Sequence, residues 1–212
     1  NNQGATINWN ATNYGIDYAS IYNSANFTFD NAGIVNINNN LRLYNISNAT
    51  DTSDTGSYNI ATAKTFSVYG GNRTLGTAGS ITGAGALSVD SGSLTVNGTL
   101  GLAATGTVAI NGGTLNLNTG AGAASPITFA NTLSISSGAL NATDSISVPS
   151  LSWSGGTITG SGLLITPSGG TAQLFGSETK YLQNKTWQNS GTINLTDGQL
   201  YLSGYDPNNN TY

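Results

Sequence analysis

Side chains that carry out chemistry are sparse in this chain and set far apart. There is no His and no Cys, so a Ser-His-Asp triad, a Cys-His pair and an imidazole-ligated zinc site are all unavailable to it. What remains is a scatter of carboxylates: Asp17, Asp30, Asp51, Asp54, Asp90, Asp144, Glu178, Asp197 and Asp206. Hydrolysis of a sugar polymer needs two such groups facing each other across a groove, and the spacing here points to no such pair. Asp51 and Asp54 are the closest. They fall in ATDTSDTGS (49–57), where the apolar pattern lapses, and read as a solvated loop. The Gly-Gly-x-Gly-x-Asp repeat that binds calcium in solenoids is absent. The chain is therefore read as non-enzymatic, with no catalytic residue, no metal and no cofactor.

Recognition is the other chemistry to look for. Arg42, Lys64, Arg73, Lys180 and Lys185 are the only basic residues; they form no cluster, which excludes nucleic-acid binding through phosphate neutralisation. Tyr14, Tyr18 and Tyr22 lie four apart. On a helix they share one face; on a strand Tyr18 and Tyr22 do, and the sequence leaves both open. They are read first as an aromatic cover over the first coil of a repeat and second as a stacking platform for sugars. With Tyr205 they are the candidate ligand or assembly contacts. Ten Asn-x-Ser/Thr sequons occur, a number that an Asn- and Thr-rich chain generates by chance.

The elements that must position these residues are clearest in 86–118. There Leu87/Val89, Leu94/Val96, Leu100/Leu102, Val108/Ile110 and Leu115/Leu117 each flank one small or polar residue. On a strand each pair faces one way and the residue between faces the other. The pairs recur about every seven residues, and the third step closes a period of 21, as from Val89 to Ile110. Similar pairs precede them, Ile7/Trp9, Phe27/Phe29, Val35/Ile37, Leu41/Leu43, Tyr58/Ile60 and Phe66/Val68, and the pattern continues at Phe129, Ile135, Ala142, Val148 and Trp153. TGAGAASP (119–126) interrupts it, and SETKYLQ (177–183) reads as a short turn on the outside. Asn-Gly hairpin turns are scarce, with only Asn97-Gly98 and Asn111-Gly112 in candidate places. The expected fold is all-β: a single-stranded parallel β-solenoid with three short strands per coil of about 20 residues. An antiparallel sandwich is the rival, but its turn signals fall farther apart.

Composition agrees. Charged residues are 7% of the chain, against about 25% in ordinary globular proteins, so Ser, Thr and Asn must keep the surface wet. Residues 1–204 are assigned to the solenoid, with Asn- and aromatic-rich N-terminal coils and a candidate cap in 1–54, and regular coils in 55–204. Residues 205–212 are a polar tail. No membrane span is read, since no apolar run approaches the length a spanning helix needs. With no Met at its start and no signal-like segment, the chain reads as a fragment or a processed product.

Two segments carry a more specific signal. They are LSWSGGTITGSGLLITPSGG (151–170), with Trp153-x-Gly155-Gly156-x-Ile158-x-Gly160-x-Gly162, and KYLQNKTWQNSGTINLTDGQLYLSG (180–204), with Asn189-x-Gly191-Thr192-Ile193-Asn194-Leu195. They resemble the repeats of large secreted bacterial adhesins of the filamentous-haemagglutinin and autotransporter-passenger kind. The resemblance implies a right-handed parallel β-helix, secreted or held at a bacterial-type cell surface, whose partners are host or neighbouring-cell glycans or proteins. It carries over no functional residue, because the shared motifs are structural. A self-assembling fibre subunit, binding copies of itself end to end, is the alternative; a polysaccharide-active enzyme and an ice-binding protein rank below it. The outward residues Ser88, Thr95, Gly101, Ala109 and Asn116 make no regular lattice.

Overall fold

The computed structural model describes residues 1–12, 28–49 and 51–203. Among these there is no helix. The chain enters through β1 (Thr6–Trp9) and then winds in about eight coils. The early coils are β2 (Ile34–Ile37) with β3 (Leu41–Tyr44), β4 (Ser57–Ile60) with β5 (Thr65–Leu75), and β6 (Ser80–Gly83) with β7 (Ala86–Val96). From there each coil has three strands. These are β8 (Thr99–Leu102), β9 (Val108–Ile110) and β10 (Thr114–Leu117), then β11 (Ile127–Thr128), β12 (Thr132–Ile135) and β13 (Ala139–Ala142). Next come β14 (Ile146–Ser147), β15 (Ser150–Trp153) and β16 (Gly156–Thr159), then β17 (Leu163–Thr166), β18 (Thr171–Leu174) and β19 (Thr179–Gln183). The last described coil is β20 (Thr186–Asn189), β21 (Thr192–Leu195) and β22 (Gln199–Ser203).

Every strand pairing among the described residues is parallel and joins one coil to the next, which makes the molecule a parallel β-solenoid. A first face stacks β1, β2, β4, β6 and β8, and resumes with β11, β14, β17 and β20. A second face stacks β3, the start of β5, the start of β7, β9, β12, β15, β18 and β21. The third runs from the ends of β5 and β7 through β10, β13, β16 and β19 to β22. In the regular part Phe66 pairs with Leu87 and Leu87 with Val108, a step of 21 residues each time.

The alternation in sequence becomes the lumen. Val35/Ile37, Leu41/Leu43, Tyr58/Ile60, Phe66/Val68, Leu87/Val89, Leu94/Val96, Val108/Ile110 and Leu115/Leu117 are all buried. So are Phe129, Ile135, Ala142, Val148 and Trp153. Burying each large aliphatic side chain contributes roughly 1.5–3 kcal/mol, and on the second face the rows stack apolar residues coil on coil, as Phe66 on Leu87 and Leu87 on Val108.

Several expectations change. The first two pairs of 86–118 are not separate short strands: Leu87/Val89 and Leu94/Val96 lie on the single strand β7, which turns a corner at Gly92. Gly92 has φ +70°, and a Cβ there would stand 2.1 Å from the Gly71 carbonyl oxygen, so only glycine fits the corner. Around Phe29 there is no strand, only an isolated bridge from Thr28 to Ser47. The scarcity of hairpin turns does hold: Asn97-Gly98 and Asn111-Gly112 close no hairpin, because their flanking strands pair with other coils. The outward residues Ser88, Thr95 and Gly101 belong to three different faces, so chain order never placed them in one row.

Candidate functional site

Tyr14, Tyr18, Tyr22 and Tyr205 lie outside the described residues, as does Phe27. The surfaces that are described are built from amides and hydroxyls at the outward positions between the apolar pairs. On the first face Asn36 Nδ2 donates to Asn8 Oδ1 at 2.8 Å, Asn59 Nδ2 to Asn36 Oδ1 at 3.0 Å, and Thr82 Oγ1 to Asn59 Oδ1 at 2.9 Å. On the third face Asn116 Nδ2 donates to Thr95 Oγ1 at 3.2 Å and Asn141 Nδ2 to Asn116 Oδ1 at 3.1 Å. Parallel in-register stacking brings identical positions about 4.8 Å apart, close enough for each side chain to satisfy the next. Such a ladder leaves its outer donors and acceptors in an evenly spaced, uncharged array.

Two stacked aromatic pairs lie on the outside of the coils, one on the third face and one on the second. Tyr181 and Tyr201 stack on the third face with ring centroids 5.8 Å apart. Tyr44 and Tyr69 stack at 5.0 Å on the second face, and the Arg42 guanidinium carbon lies 4.9 Å from the Tyr69 ring centroid. Nothing in their local sequence singles these tyrosines out, yet each occupies an outward strand position one coil from its partner. Coil-length spacing was the available signal.

Four of the charged groups, Asp54, Arg73, Asp144 and Lys180, are inside. Asp54, expected in a solvated loop, is 2% exposed and forms an ion pair with Arg73 Nη2. Its Oδ1 accepts from the Asn31 backbone N–H at 2.7 Å and Asn48 Nδ2 at 3.0 Å, and its Oδ2 accepts the Tyr58 hydroxyl at 2.8 Å. Burial pushes the Tyr58 phenol well above its ordinary range. Burial works against the Arg73 charge, but Tyr58 and Asp54 beside it outweigh that and raise its pKa. Arg73 Nη1 is, among the described residues, the buried side-chain nitrogen or oxygen left without a partner. Asp30, nearer the surface, is held below the ordinary carboxylate range: its slight burial opposes this, and hydrogen bonds from the Ala49 N–H, Thr52 and Asn48 prevail. None of this cluster faces a groove as a pair of free carboxylates.

SETKYLQ is likewise not an outside turn. Residues Thr179–Gln183 form β19, and Lys180 points into the lumen at 0% exposure. Its Nζ donates to the carbonyl oxygens of Gly176 (2.6 Å), Glu178 (2.9 Å) and Asp197 (3.1 Å). The alternation was legible: Arg73 sits two before buried Leu75, and Lys180 two before buried Leu182.

The expected interruption after β10 is present and is held by Asp144. Its carboxylate accepts the backbone N–H groups of Thr119 (2.6 Å), Gly120 (2.7 Å) and Ala121 (2.9 Å). Nearby, Lys185 Nζ donates to the Ala142 and Asp144 carbonyls at 2.8 and 3.2 Å, and burial lowers its pKa to about 8 against the pull of Asp144. Among the described residues no three His, Cys, Asp or Glu side chains come together to hold a metal ion, and no helix is long and apolar enough to cross a membrane. No family model, curated protein or solved structure matches the chain, so its parallel β-solenoid architecture rests on its own strand register.

Proposed function

We propose that this chain is a non-enzymatic extracellular solenoid with a structural and adhesive role, a length of a secreted or cell-surface adhesin rod. The observation that supports this reading most is the stacked amide and hydroxyl ladders of the first and third faces, carried on an apolar lumen. An array of this kind recognises a partner through many weak, uncharged hydrogen bonds, with Tyr44, Tyr69, Tyr181 and Tyr201 as aromatic contacts. Glycans or proteins on a host or neighbouring cell are suitable partners. The purified chain is expected to bind neutral glycans on an array with little salt dependence, because no phosphate-like charge is neutralised. No binding to any glycan or cell surface would overturn the adhesive role, and degradation of pectin or another uronan would overturn the non-enzymatic one.

A second reading, a fibre subunit joined end to end, is favoured by one observation. Ile193, Leu195 and Leu202 continue the lumen rows on the last described strands, yet they are 37%, 50% and 70% exposed. Exposed apolar groups beside an open strand edge are a template for another coil. Electron microscopy separates the readings: filaments support the fibre, and monodisperse rods support the adhesin.

A further inference from the structure

The first face has a break that the other two faces lack. Between β8 and β11 no ladder forms, while across the same two coils β9 pairs with β12 and β10 with β13. The backbone directions at this break follow from the bonds on its far sides. Thr99 and Ala103 donate their N–H groups to Gly79 and Gly83, toward β6. In a parallel pair, successive residues of a strand bond to opposite sides, so Leu100 and Leu102 direct theirs into the break. Across it Ile127 and Phe129 donate to Ser145 and Ser147, on the β14 side, so Thr128 directs its own into the break. Two sheet edges therefore face each other with their donors and acceptors unused.

The break is built by the chain rather than left by chance. After β10 residues 119–126 leave the coil, gripped by the Asp144 carboxylate through three backbone N–H groups. This excursion lengthens the step on the second face from 21 residues (Leu87 to Val108) to 25 (Val108 to Leu133). It delays β11 until Ile127. The floor is apolar: Leu100, Leu102 and Ile127 stay half-buried, in contrast to the fully buried pairs of neighbouring coils. Between Leu102 and Phe129 the slot is narrow, with about 10 Å³ of free volume, and at its other end it opens into a groove of about 600 Å³ bounded by Asn97, Thr99, Thr119 and Ser125. No charged side chain lines the floor or the groove.

We propose that this slot is a docking site for an extended peptide strand of a partner protein, uncharged and apolar at alternate positions, which pairs with β8 and β11 and completes the first face. Only another backbone offers donors and acceptors at the strand repeat to both edges at once, the mode of recognition known as strand addition. Alternate side chains of the guest cover Leu100, Leu102 and Ile127, and the others face solvent beside Thr128. A charged guest would lose its hydration with no counter-charge to meet it.

The test uses the full chain and a capped peptide, Thr-Val-Thr-Val-Thr-Val-Thr, with site-resolved amide hydrogen exchange. In the free protein the amides of Leu100, Leu102 and Thr128 are expected to exchange at least about tenfold faster than those of Gly101 and Phe129. Saturating peptide should slow the same three by about tenfold or more. A Thr-Lys-Thr-Lys-Thr-Lys-Thr peptide should not. Thr128→Pro, which removes a slot-facing N–H and leaves the bonds to β14 in place, should weaken binding by about fivefold or more. If that variant fails to fold, the charged peptide makes the comparison on unaltered protein. Protection of the three amides before peptide is added, no slowing at millimolar peptide, or slowing confined to the β20–β22 edge would each overturn the proposal.

Discussion

Arg73 and Lys180 both point into a lumen otherwise filled by Leu, Val, Ile and aromatic side chains, and the protein satisfies the two cations by different means. Arg73 meets a full counter-charge in Asp54, with Tyr58 bonded to both. Lys180 meets only carbonyl dipoles, three of them, supplied by the turns that flank β19 and β22. The first arrangement ties segments 19 residues apart, Asp54 to Arg73, and reaches Asn31 and Asn48 in two further segments. The second is local, apart from the contact to Asp197. A buried ion pair is costly to halve, because the survivor keeps its desolvation penalty and loses its partner; a cation held by carbonyls near the surface can recover water when one is removed. The early coils therefore depend on a polar knot, and the later ones on apolar stacking with two ammonium groups, Lys180 and Lys185, pinned by carbonyls.

The largest effect should come from halving the knot. Asp54→Ala is expected to lower stability by about 3–5 kcal/mol in urea unfolding, and Asp54→Ala combined with Arg73→Leu to recover most of that loss. If the double variant is no better than the single one, the bonds to Asn31 and Asn48 matter more than the charge. An apolar truncation in the regular coils, Leu133→Ala, should cost about 2–5 kcal/mol through transfer and cavity. A smaller loss there would mean that stacked coils close over a gap more easily than a globular core does. Asp144→Ala should cost about 1–3 kcal/mol, by orphaning three backbone donors, and should speed amide exchange at Thr119, Gly120 and Ala121 while leaving β12 and β15 protected.

The smallest effect is a pH dependence at Lys185. Its folded-state pKa of about 8 lies below the ordinary 10.5. Between those values the unfolded chain holds a proton that the folded chain has released, so stability should rise as pH climbs through this window. Below about pH 8 both states are protonated and the burial penalty is present in full. Compared with Lys185→Gln, the native chain should gain stability between pH 8 and 10.5; equal slopes would show that Lys185 is better hydrated than its geometry implies.

The lumen could be read from the chain because it depends on a local rule. Two apolar residues flanking a polar one fix which way each side chain points, and a repeat near 21 stacks Leu87 on Val108 and Phe66 on Leu87. Asp54 could not be read this way. Its neighbours are polar, its partner lies a coil away, and a lone carboxylate in ATDTSDTGS looks the same whether solvated or paired. Lys180 was legible in principle from its place two before Leu182, but its charge argued for the surface more strongly than alternation argued for the core. The candidate surface was legible only as composition. Which Asn stands over which is decided by coil length, and coil length varies with the excursions between strands.

The all-β class, the strand faces and the apolar filling of the lumen are written in the order of residues, because alternation and burial are properties of neighbours along the chain. Which polar residues are inside, which outward residues share a ladder, and where the first face stays open emerge only once the coils are stacked. Those outcomes depend on the register between coils. Excursions such as 119–126 and cross-coil bonds such as Asp144 to Thr119 set that register, and no short window of sequence contains both ends of them.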